Sequence, residues 1–489
     1  MKVLMLTSEA VPFIKSGGLA DVVTALSQSL IILGHEVKLI MPYYHDLKGI
    51  KTEILPWDLK ITGKTKQEHF RIRRMSLEQL ECFFVDTRCF SEREGIYGKT
   101  SYTPYQDNLY RYTIFSRAVF EICRKINWYP DIFHCHDWTT GFIPLLLRKQ
   151  KSRLFQHARS VLTIHNLGYQ GDYSKHDIHI TGLSAAEVFA GEHTQSYSSR
   201  LNMLQTGIQY ADMITTVSPS YAKEIQTKLM GHGLDYLLRK RRNSLYGILN
   251  GVDYKEWDPR HDTYIPHCYS AETLELKKLD KQALQSYCNL THDDSVPVIG
   301  MISRLADQKG FRELCSGTPS ALERMLIELP IQIVIVGTGD KDIENYLMHI
   351  DAMYDNFSAQ IVFNNYVAHL VEAGSDMFLM PSRYEPCGLN QIYSLKYGSI
   401  PIVRKTGGLA DTIEPFSADY QEGVGFCFEQ MSGEAIYVAV EKSLDLWNQP
   451  QTRIDAVRSR AMHKLFSWDQ AASSYTEVYT LVFQKRRES

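Results

Sequence analysis

The chain has 489 residues, of which 44% are hydrophobic and 22% charged, and its formal net charge is −3 at pH 7. This composition is typical of a globular enzyme with two large domains, and the charge balance excludes nucleic acid as the main partner. The nine cysteines are scattered and contain no Cys-x-x-Cys pair, which favours a reducing compartment. No uncharged apolar stretch is long enough to cross a membrane, so we expect a cytoplasmic protein without a membrane partner.

A glycine motif near the N-terminus lies between a predicted strand and a predicted helix. Residues 15–22 read KSGGLADV. The apolar run of residues 2–8 predicts a buried strand, and apolar residues at helical spacing after the motif predict a helix that ends near Gly34. A second strand is expected at residues 35–42, so this region forms a βαβ unit.

The glycine pair in this motif has a chemical use as well as a structural one. Without a Cβ atom, the backbone at Gly17 and Gly18 can approach a ligand closely, and the N-terminus of a helix favours an anion. Lys15 adds a full positive charge. The turn is therefore suited to a phosphate, and a tight turn with only a structural role is the alternative that the residues leave open.

Short alternating segments at residues 53–100 predict an insertion or hairpin region over the first sheet. A helix is expected at residues 107–126. The next strand, DIFHCHDW at residues 131–138, ends in polar side chains at the sheet edge where ligands bind in open α/β folds. His134 and His136 could belong to a metal site, but no further ligand set follows the matching strands, so we favour hydrogen bonding near a sugar.

The remaining strands of the first half also end in polar or turn-forming residues. His165 and Asn166 follow the strand predicted in residues 160–171, where a histidine is either a structural hydrogen-bonding group or a catalytic one. The basic run at residues 239–242 follows an apolar helical segment, so we attribute it to cations at a helix C-terminus rather than to a nucleic-acid site. A strand and turn at residues 246–259 mark the expected domain boundary.

The pattern of strands restarts at residue 296. Further strands are predicted from nearly continuous apolar runs, which suit a parallel sheet buried on both faces. They lie at residues 296–303, 331–340, 361–365 and 376–381. The last of them leads into SRYEPCGLNQ, where we expect Glu385 to face a ligand and the backbone N–H groups of residues 388–390 to face an anion. A second glycine motif, KTGGLADT, occupies residues 405–412 and indicates that the two halves are similar.

Eight motifs appear in the order seen in bacterial glycogen synthases and plant starch synthases, and they span nearly the whole chain. They are KSGGLADV, HDW, HNLGYQG, TTVSPSYAKEI, ILNGVD, SRLADQKG, PSRYEPCGLNQ and KTGGLADT. The sequence thus resembles this family of retaining GT-B glycosyltransferases. The resemblance implies an α/β fold of two doubly wound Rossmann-like domains facing a central cleft. It places an acceptor-side domain at residues 1–255, a nucleotide-sugar-binding domain at residues 256–466, and a C-terminal helix at residues 467–489 that packs back across the domain junction.

The resemblance also implies a reaction. It is the transfer of α-glucose from ADP-glucose to the non-reducing end of an α-1,4-glucan such as glycogen, with retention of configuration and without a metal or other cofactor. A transferase that uses another nucleotide sugar such as UDP-glucose, or a catalytically silent glucan-binding paralogue, are the alternatives. The choice of ADP-glucose rests on the resemblance, because an aromatic side chain would stack on either base, and the oligomeric state stays open.

The family's functional residues can be carried onto matching positions. The residues assigned to catalysis are Lys15, His165, Arg304, Lys309 and Glu385. Lys15 and the glycine turn would face the donor's phosphates, Arg304 and Lys309 would hold the diphosphate, and Glu385 would bind the donor glucose. The other residues assigned to substrate binding are Gly17, Gly18, Asp21, Tyr97, Asp137, Asn166, Asn250, Phe363, Cys387, Gly388, Leu389 and Asn390. Of these, Phe363 would lie against the adenine.

Three positions depart from the family pattern, and a fourth differs from more distant enzymes. Thr139 follows HDW where the family commonly has His, which removes one possible contact with a sugar or acceptor. Asn390 stands where Thr is usual, and Phe363 replaces a frequent Tyr while keeping a stacking face. Tyr393 occupies a position where more distant retaining GT-B enzymes have a second Glu, which the glycogen synthase branch also lacks. We expect only Thr139 to affect acceptor preference.

Overall fold

The computed structural model describes residues 1–62, 67–100, 103–189 and 200–484. The chain divides into two compact units. Unit 1 comprises Met1–Val217, Ala222–Gly251 and the described residues from Trp468 onward, and unit 2 comprises Ser218–Tyr221 and Val252–Ser467. The last five residues of the segment predicted at 467–489 lie outside the described residues.

The sheet of unit 1 is mostly parallel. The strands of this unit are β1 (Lys2–Leu6), β2 (Glu36–Pro42), β3 (Glu53–Thr62), β4 (Gln67–Leu77), β5 (Leu80–Asp86), β6 (Gly98–Thr100), β7 (Thr103–Pro104), β8 (Ile132–His136), β9 (Arg159–Ile164), β10 (Asp172–Ser174), β11 (Arg200–Asn202), β12 (Met213–Thr216) and β13 (Leu245–Gly247). Within the described residues, nine of them form one sheet in the order β13-β12-β9-β8-β1-β2-β5-β4-β3. Neighbours from β13 to β5 are parallel, and β4 is antiparallel to both β5 and β3.

Helices connect the strands in both units. They are α1 (Gly18–Ile32), α2 (Arg88–Ser91), α3 (Asn108–Lys125), α4 (Ile143–Arg148), α5 (Ile178–Thr181), α6 (Ala185–Val188), α7 (Met203–Tyr210), α8 (Pro219–Glu224), α9 (Asp235–Lys240), α10 (Lys277–Tyr287), α11 (Phe311–Cys315), α12 (Ala321–Glu328), α13 (Lys341–Asp351), α14 (Asn365–Gly374), α15 (Asn390–Lys396), α16 (Gly407–Thr412), α17 (Gly433–Trp447), α18 (Gln451–Met462) and α19 (Trp468–Gln484). In the described part of the chain, no helix is both long enough and apolar enough to cross a membrane.

The first βαβ unit is as predicted. The side chains of Val3 to Leu6 in β1 are buried, and α1 buries the apolar positions that recur at helical spacing. Gly34 follows the helix with φ +87°, a left-handed conformation that costs glycine little, and the chain then enters β2. The strand, glycine turn and helix therefore place residues 15–18 at the carboxyl end of β1.

The prediction that residues 53–100 form an insertion or hairpin region over the sheet was right about the hairpins, because β4 pairs antiparallel with β3 and β5, and wrong about their position. Strands β3, β4 and β5 instead extend the same sheet at its edge. The reason lies in β5, whose residues are almost all buried and which pairs in parallel with β2. An apolar run of this kind is covered on both faces only inside a sheet.

Unit 2 contains a fully parallel sheet. Its strands are β14 (Val298–Ile302), β15 (Gln332–Val336), β16 (Phe357–Gln360), β17 (Met377–Met380), β18 (Ile400–Arg404) and β19 (Phe426–Phe428). Among the described residues these six form one sheet in the order β16-β15-β14-β17-β18-β19. Alternate residues of β15 enter two different hydrophobic clusters, one containing Ile333 and Ile335 and the other Val334 and Val336. Helices cover both faces, as the continuous apolar strands predicted.

The strand predicted at residues 361–365 lies earlier in the chain. The residues that pair with β15 are Phe357–Gln360, where the first two side chains are buried, and residues 361–364 form an irregular connection to α14. The prediction was placed too late in the chain because Ile361 and Val362, just beyond the strand, continue its apolar pattern. Phe363 therefore lies in a loop at the carboxyl end of β16.

Helix α19 belongs to unit 1. Its residues Tyr475 and Tyr479 are fully buried, and Thr476 Oγ1 lies 3.0 Å from Nε2 of His35 at the end of the first βαβ helix. The hydroxyl of Tyr479 lies 2.7 Å from Nδ1 of His134 in β8. The C-terminal helix is thus part of the core that supports the central strands of the first sheet.

Candidate active site

A buried carboxylate organises the first glycine turn. Oε2 of Glu9, just after β1, accepts hydrogen bonds from the backbone N–H groups of Ser16 (2.5 Å) and Gly17 (3.2 Å). Oε1 of Glu9 accepts a hydrogen bond from the hydroxyl of Tyr97 at 2.7 Å. Burial raises the pKa of Glu9, while these hydrogen bonds oppose the rise. Two of the amides that the sequence suggested for a phosphate are therefore occupied by a carboxylate.

The charge of Lys15 is also paired inside the turn. Its ammonium group lies 2.7 Å from Asp21, in the first turn of α1, and both side chains are partly exposed. A Cβ atom added to Gly17 would meet no atom within 4 Å, so the outer side of this turn is open. Of the predicted residues, Lys15, Gly17, Asp21 and Tyr97 thus come together, and Glu9 joins them.

A second group of predicted residues meets where β8 and β9 end. We call His136, Asp137, His165 and Asn166 the strand-end cluster. The carboxylate of Asp137 accepts the backbone N–H of His165 at 2.7 Å and that of Asn166, although burial raises the pKa of Asp137 to about 7. Asp137 has φ +56° with ψ −171°, a backbone conformation that is almost confined to glycine. Backbone strain of this kind is commonly kept at functional sites.

Histidine rings fill the other side of the strand-end cluster. Nε2 of His165 lies 2.9 Å from Nδ1 of His136, and burial lowers the pKa of His165 to about 3. The ring of His134 lies 4.2 Å from that of His136, and its nitrogens are bonded to Tyr479 and Thr163. His134 is therefore a structural residue. No group of three or more His, Cys, Asp or Glu side chains in the described ranges is placed to hold a metal ion.

Two further polar side chains near these strand ends are buried. Thr139 follows Asp137 in a short turn, and its hydroxyl has no hydrogen-bond partner among the described residues. The Oδ1 atom of Asn250, which follows β13, likewise has none there. The structure does not hydrogen-bond Asn250 to the strand-end cluster. Trp138 connects this cluster to the glycine turn, because its ring lies 5.8 Å from that of Tyr97.

In unit 2, a lysine and a glutamate meet at the carboxyl edge of the sheet. Lys309 follows β14 and Glu385 follows the adjacent β17, and Nζ of Lys309 lies 2.5 Å from Oε2 of Glu385. Ser382 Oγ donates to the same oxygen at 3.0 Å. Arg304 lies on the β14 loop and is exposed. The prediction assigned Lys309 to a diphosphate and Glu385 to a sugar, and the structure pairs them with each other.

Backbone and amide contacts hold these two loops together. Gln308 Nε2 donates to the carbonyl of Tyr384 at 3.2 Å, and Asn390 Nδ2 donates to the carbonyl of Ile302, at the end of β14, at 2.7 Å. Leu389 caps α15, which begins at Asn390, and Gly388 precedes it with φ +72°. Asn390, where Thr is usual, therefore ties the turn to β14.

The second glycine motif packs against the same turn. A Cβ atom on Gly407 would lie 2.0 Å from the carbonyl oxygen of Glu385, and one on Gly408 would lie 2.0 Å from that of Cys387. The N–H of Gly408 also donates to the carbonyl of Glu385 at 3.0 Å. These glycines are needed for close contact between two backbone segments, so the repeat of the motif does not mark a second open turn.

Aromatic residues of unit 2 have two different environments. Phe363 is 87% exposed in the loop after β16, so its ring is free to stack on a ligand. Tyr393 stacks on Trp257, with ring centroids 4.0 Å apart, and the other face of Trp257 stacks on His369. Tyr393 thus has a packing role, which accounts for its presence where distant relatives have Glu.

Comparison with known proteins assigns both halves of the chain to glycosyltransferase domains. Residues 2–240 match the model of the starch synthase catalytic domain, and residues 289–460 match that of the glycosyl transferases group 1. A glycogen synthase of Treponema denticola is 42% identical, and one of Koribacter versatilis is 41% identical, each over 99% of both chains. The chain belongs to the glycogen synthase family.

Solved structures support this family assignment. The catalytic domain of starch synthase IV from Arabidopsis thaliana, bound to ADP and acarbose, superposes with a TM-score of 0.88 at 30% identity over 99% of both chains. A sucrose-phosphate synthase from Thermosynechococcus elongatus shares the fold alone, with a TM-score of 0.60 at 15% identity and the same coverage. The predicted family, the GT-B fold of two Rossmann-like domains and the assignment as a glycosyltransferase are confirmed.

Sequence reasoning about this glycogen synthase family member missed two residues. Glu9 is not among the predicted site residues, although an acidic residue shortly after a buried strand is a signal of a strand-end site. His136 was predicted to hydrogen-bond near a sugar but was not assigned to the site, because its contact with His165 depends on the register of β8 and β9, which sequence spacing does not show.

Proposed function

We propose that this protein transfers α-glucose from ADP-glucose to the 4-hydroxyl at the non-reducing end of an α-1,4-glucan, with retention of configuration. The observation that carries the proposal is the meeting of Lys309 and Glu385 beside the turn at Gly388, on the carboxyl edge of a parallel sheet. Ligands of open α/β sheets bind at this edge. Family membership and the ADP-bound starch synthase that shares the fold support the choice of donor.

In this proposal, unit 2 binds the donor. The ion pair between Lys309 and Glu385 opens, and each residue then contacts the substrate. The diphosphate takes the place of Glu385 as the partner of Lys309, which leaves the carboxylate of Glu385 to accept hydrogen bonds from glucose hydroxyls. Arg304 on the same loop adds a second cation. Fixed positive charges stabilise the negative charge that develops on a departing nucleoside diphosphate. Phe363, with its exposed ring, stacks on the base.

Unit 1 has hydrogen-bonding groups suited to a sugar or an acceptor. His165 is neutral because burial lowers its pKa to about 3, so it contributes hydrogen bonding rather than charge. Asp137 and Asn166 fix the loop that carries it. Lys15 adds positive charge at the end of β1. We assign no side chain as a nucleophile, and the departing phosphate removes the proton of the attacking hydroxyl.

We further propose that the reaction needs no metal, because Arg304 and Lys309 supply cations that stabilise a departing nucleoside diphosphate. The test is incorporation of labelled glucose into glycogen from ADP-glucose and from UDP-glucose, each with and without EDTA. Strong incorporation from ADP-glucose that EDTA leaves unchanged is the expected result. Preference for UDP-glucose would overturn the donor, loss of activity in EDTA would overturn metal independence, and no transfer by a protein that binds glucan would favour a silent paralogue.

A further inference from the structure

The ring of His165 is bonded to a second histidine that the proposed reaction does not use. Nε2 of His165 lies 2.9 Å from Nδ1 of His136, the last residue of β8. The register of the sheet explains this contact. His136 pairs with Thr163 in β9, and His165 lies two residues further along the chain, on the same side as Thr163.

Both rings are neutral at physiological pH. Burial lowers the pKa of His165 to about 3, and burial together with the neighbouring histidines lowers the pKa of His136 well below its ordinary value. A neutral imidazole carries one N–H donor and one bare nitrogen that accepts. In the bond between the two rings, one ring must therefore donate and the other must accept.

The second nitrogen of His136 indicates which ring donates. Nε2 of His136 is buried, and no described residue offers it a hydrogen bond. A buried N–H group without an acceptor is rarer in proteins than a buried acceptor without a donor. The favoured arrangement leaves Nε2 of His136 bare and places the proton on Nδ1, which then donates to Nε2 of His165.

We propose that His136 is a positioning residue that holds His165 as its Nδ1–H tautomer. Because the hydrogen bond made by one ring nitrogen determines the state of the other, the nitrogen of His165 left for a substrate is then a donor. His165 can donate a hydrogen bond to a sugar oxygen through Nδ1, and it cannot take a proton there. The inference rests on the proposed function and narrows the role of His165 within it.

The backbone of His165 is held from the same strand end. Asp137, the residue after His136, accepts the N–H of His165 at 2.7 Å. Consecutive residues of an extended strand point to opposite faces, but the chain leaves the strand at Asp137, with φ +56° and ψ −171°, and both side chains contact His165. One strand end thus fixes both the loop and the ring of His165.

The test combines a spectroscopic measurement with kinetics. In protein labelled with ¹⁵N-histidine, nitrogen shifts distinguish a protonated ring nitrogen from a bare one, and a His165→Gln variant assigns the signals. We expect Nδ1 of His165 to be protonated in the wild type. The His136→Phe variant should lose this single tautomer and show a kcat about 10- to 100-fold lower, because a catalytic-site group is misplaced. The KM for the donor should change little.

Two further variants separate positioning from general disruption. His136→Asn places an amide near the position of Nδ1, and it should restore the tautomer and part of the kcat. Tyr479→Phe removes a hydroxyl that lies 2.7 Å from His134, in the same buried region but away from His165, and it should change neither signal nor rate. If His136→Phe does not fold, the wild type and His136→Asn carry the test, because protonation of His165 at Nε2 in either protein would overturn the proposal.

The outcomes are distinct. A wild-type His165 protonated at Nε2 would overturn the tautomer, and a folded His136→Phe variant with unchanged shifts and kcat would overturn the positioning role. The tautomer is measured on the protein without substrate. Failure of the wild type to transfer glucose from either donor would therefore overturn the proposed function. The ¹⁵N measurement would still decide the tautomer of His165.

Discussion

The ammonium group of Lys309 lies 2.5 Å from the carboxylate of Glu385, and only 18% and 8% of the two side chains are exposed. When one member of such a little-exposed pair is removed, the other remains as an uncompensated charge. The two residues must therefore be tested both singly and together, because each substitution changes stability as well as any contact with substrate.

Replacing Lys309 with alanine should lower turnover by about 10²- to 10³-fold, the loss typical of one preorganised group that stabilises developing charge. It should also lower the free energy of unfolding, because Glu385 is left without its cation. The double variant Lys309→Ala/Glu385→Gln should regain stability without regaining activity. Steady-state transfer assays and urea unfolding measure both effects, and near-wild-type turnover of Lys309→Ala would remove the diphosphate assignment.

Replacing Glu385 with glutamine should reduce glucose transfer at least as much and leave ADP binding intact, since its proposed partner is the sugar. Isothermal titration with ADP and the transfer assay separate the two effects. Glu313 provides a matched control, because it is a little-exposed carboxylate ion-paired with Arg383 on the same segment as Glu385. Glu313→Gln should retain transfer. Weak ADP binding by a folded Glu385→Gln variant would contradict the sugar assignment.

The two glycine motifs should respond differently to alanine. Gly17 has an extended backbone and open space where a Cβ would lie. Gly17→Ala should therefore keep the melting temperature of the wild type while impairing glucose transfer. Gly408→Ala would place a Cβ 2.0 Å from the carbonyl oxygen of Cys387, which should cost about 1–3 kcal/mol of stability or more. Thermal unfolding checks both variants. Equal melting temperatures would show that the backbone at Gly408 can move aside.

This contrast shows what the sequence could and could not predict. The apolar runs identified β1, α1 and β14, because buried strands and helices require them, and polar residues at strand ends marked both sites. The pairing of Lys309 with Glu385, 76 residues apart, depends on β14 lying beside β17 in the sheet. Sequence spacing contains no information on that order. The same limit hid the role of Glu9 and the different use of the repeated motif.

Within the basic run at residues 239–242, Arg241 should contribute to stability. The guanidinium of Arg241 donates to the carbonyls of Ile208, Gln209 and Ala211 at the end of α7, at 2.6 to 2.8 Å. Arg241→Ala should lower the free energy of unfolding by about 1.5–3 kcal/mol, as expected for hydrogen bonds to a charged group. Arg242→Ala is the matched control, because that side chain is exposed. Equal effects of the two variants would contradict the capping role.

The pH dependence of stability should show the raised pKa of Asp137. Its pKa is about 7 in the folded protein and 3.8 without burial, so between these values the folded state keeps a proton that the unfolded state releases. Stability is therefore lost as pH rises from about 4 to about 7, and the loss is complete above that. Asp137→Asn cannot titrate and should gain about 2 kcal/mol over the wild type at about pH 8, and less at about pH 5. Urea unfolding at both pH values measures the gain, and a constant difference would contradict the raised pKa.

The hydrogen bond between Tyr479 and His134 joins residues that are 345 positions apart. During synthesis, β8 leaves the ribosome long before α19 has been made. Residues 252–467 of unit 2, by contrast, emerge as one continuous stretch that can fold as soon as it is complete. The half of the protein that is translated first is therefore finished last, and a nascent chain that stops short of α19 leaves the apolar surface beside β8 uncovered.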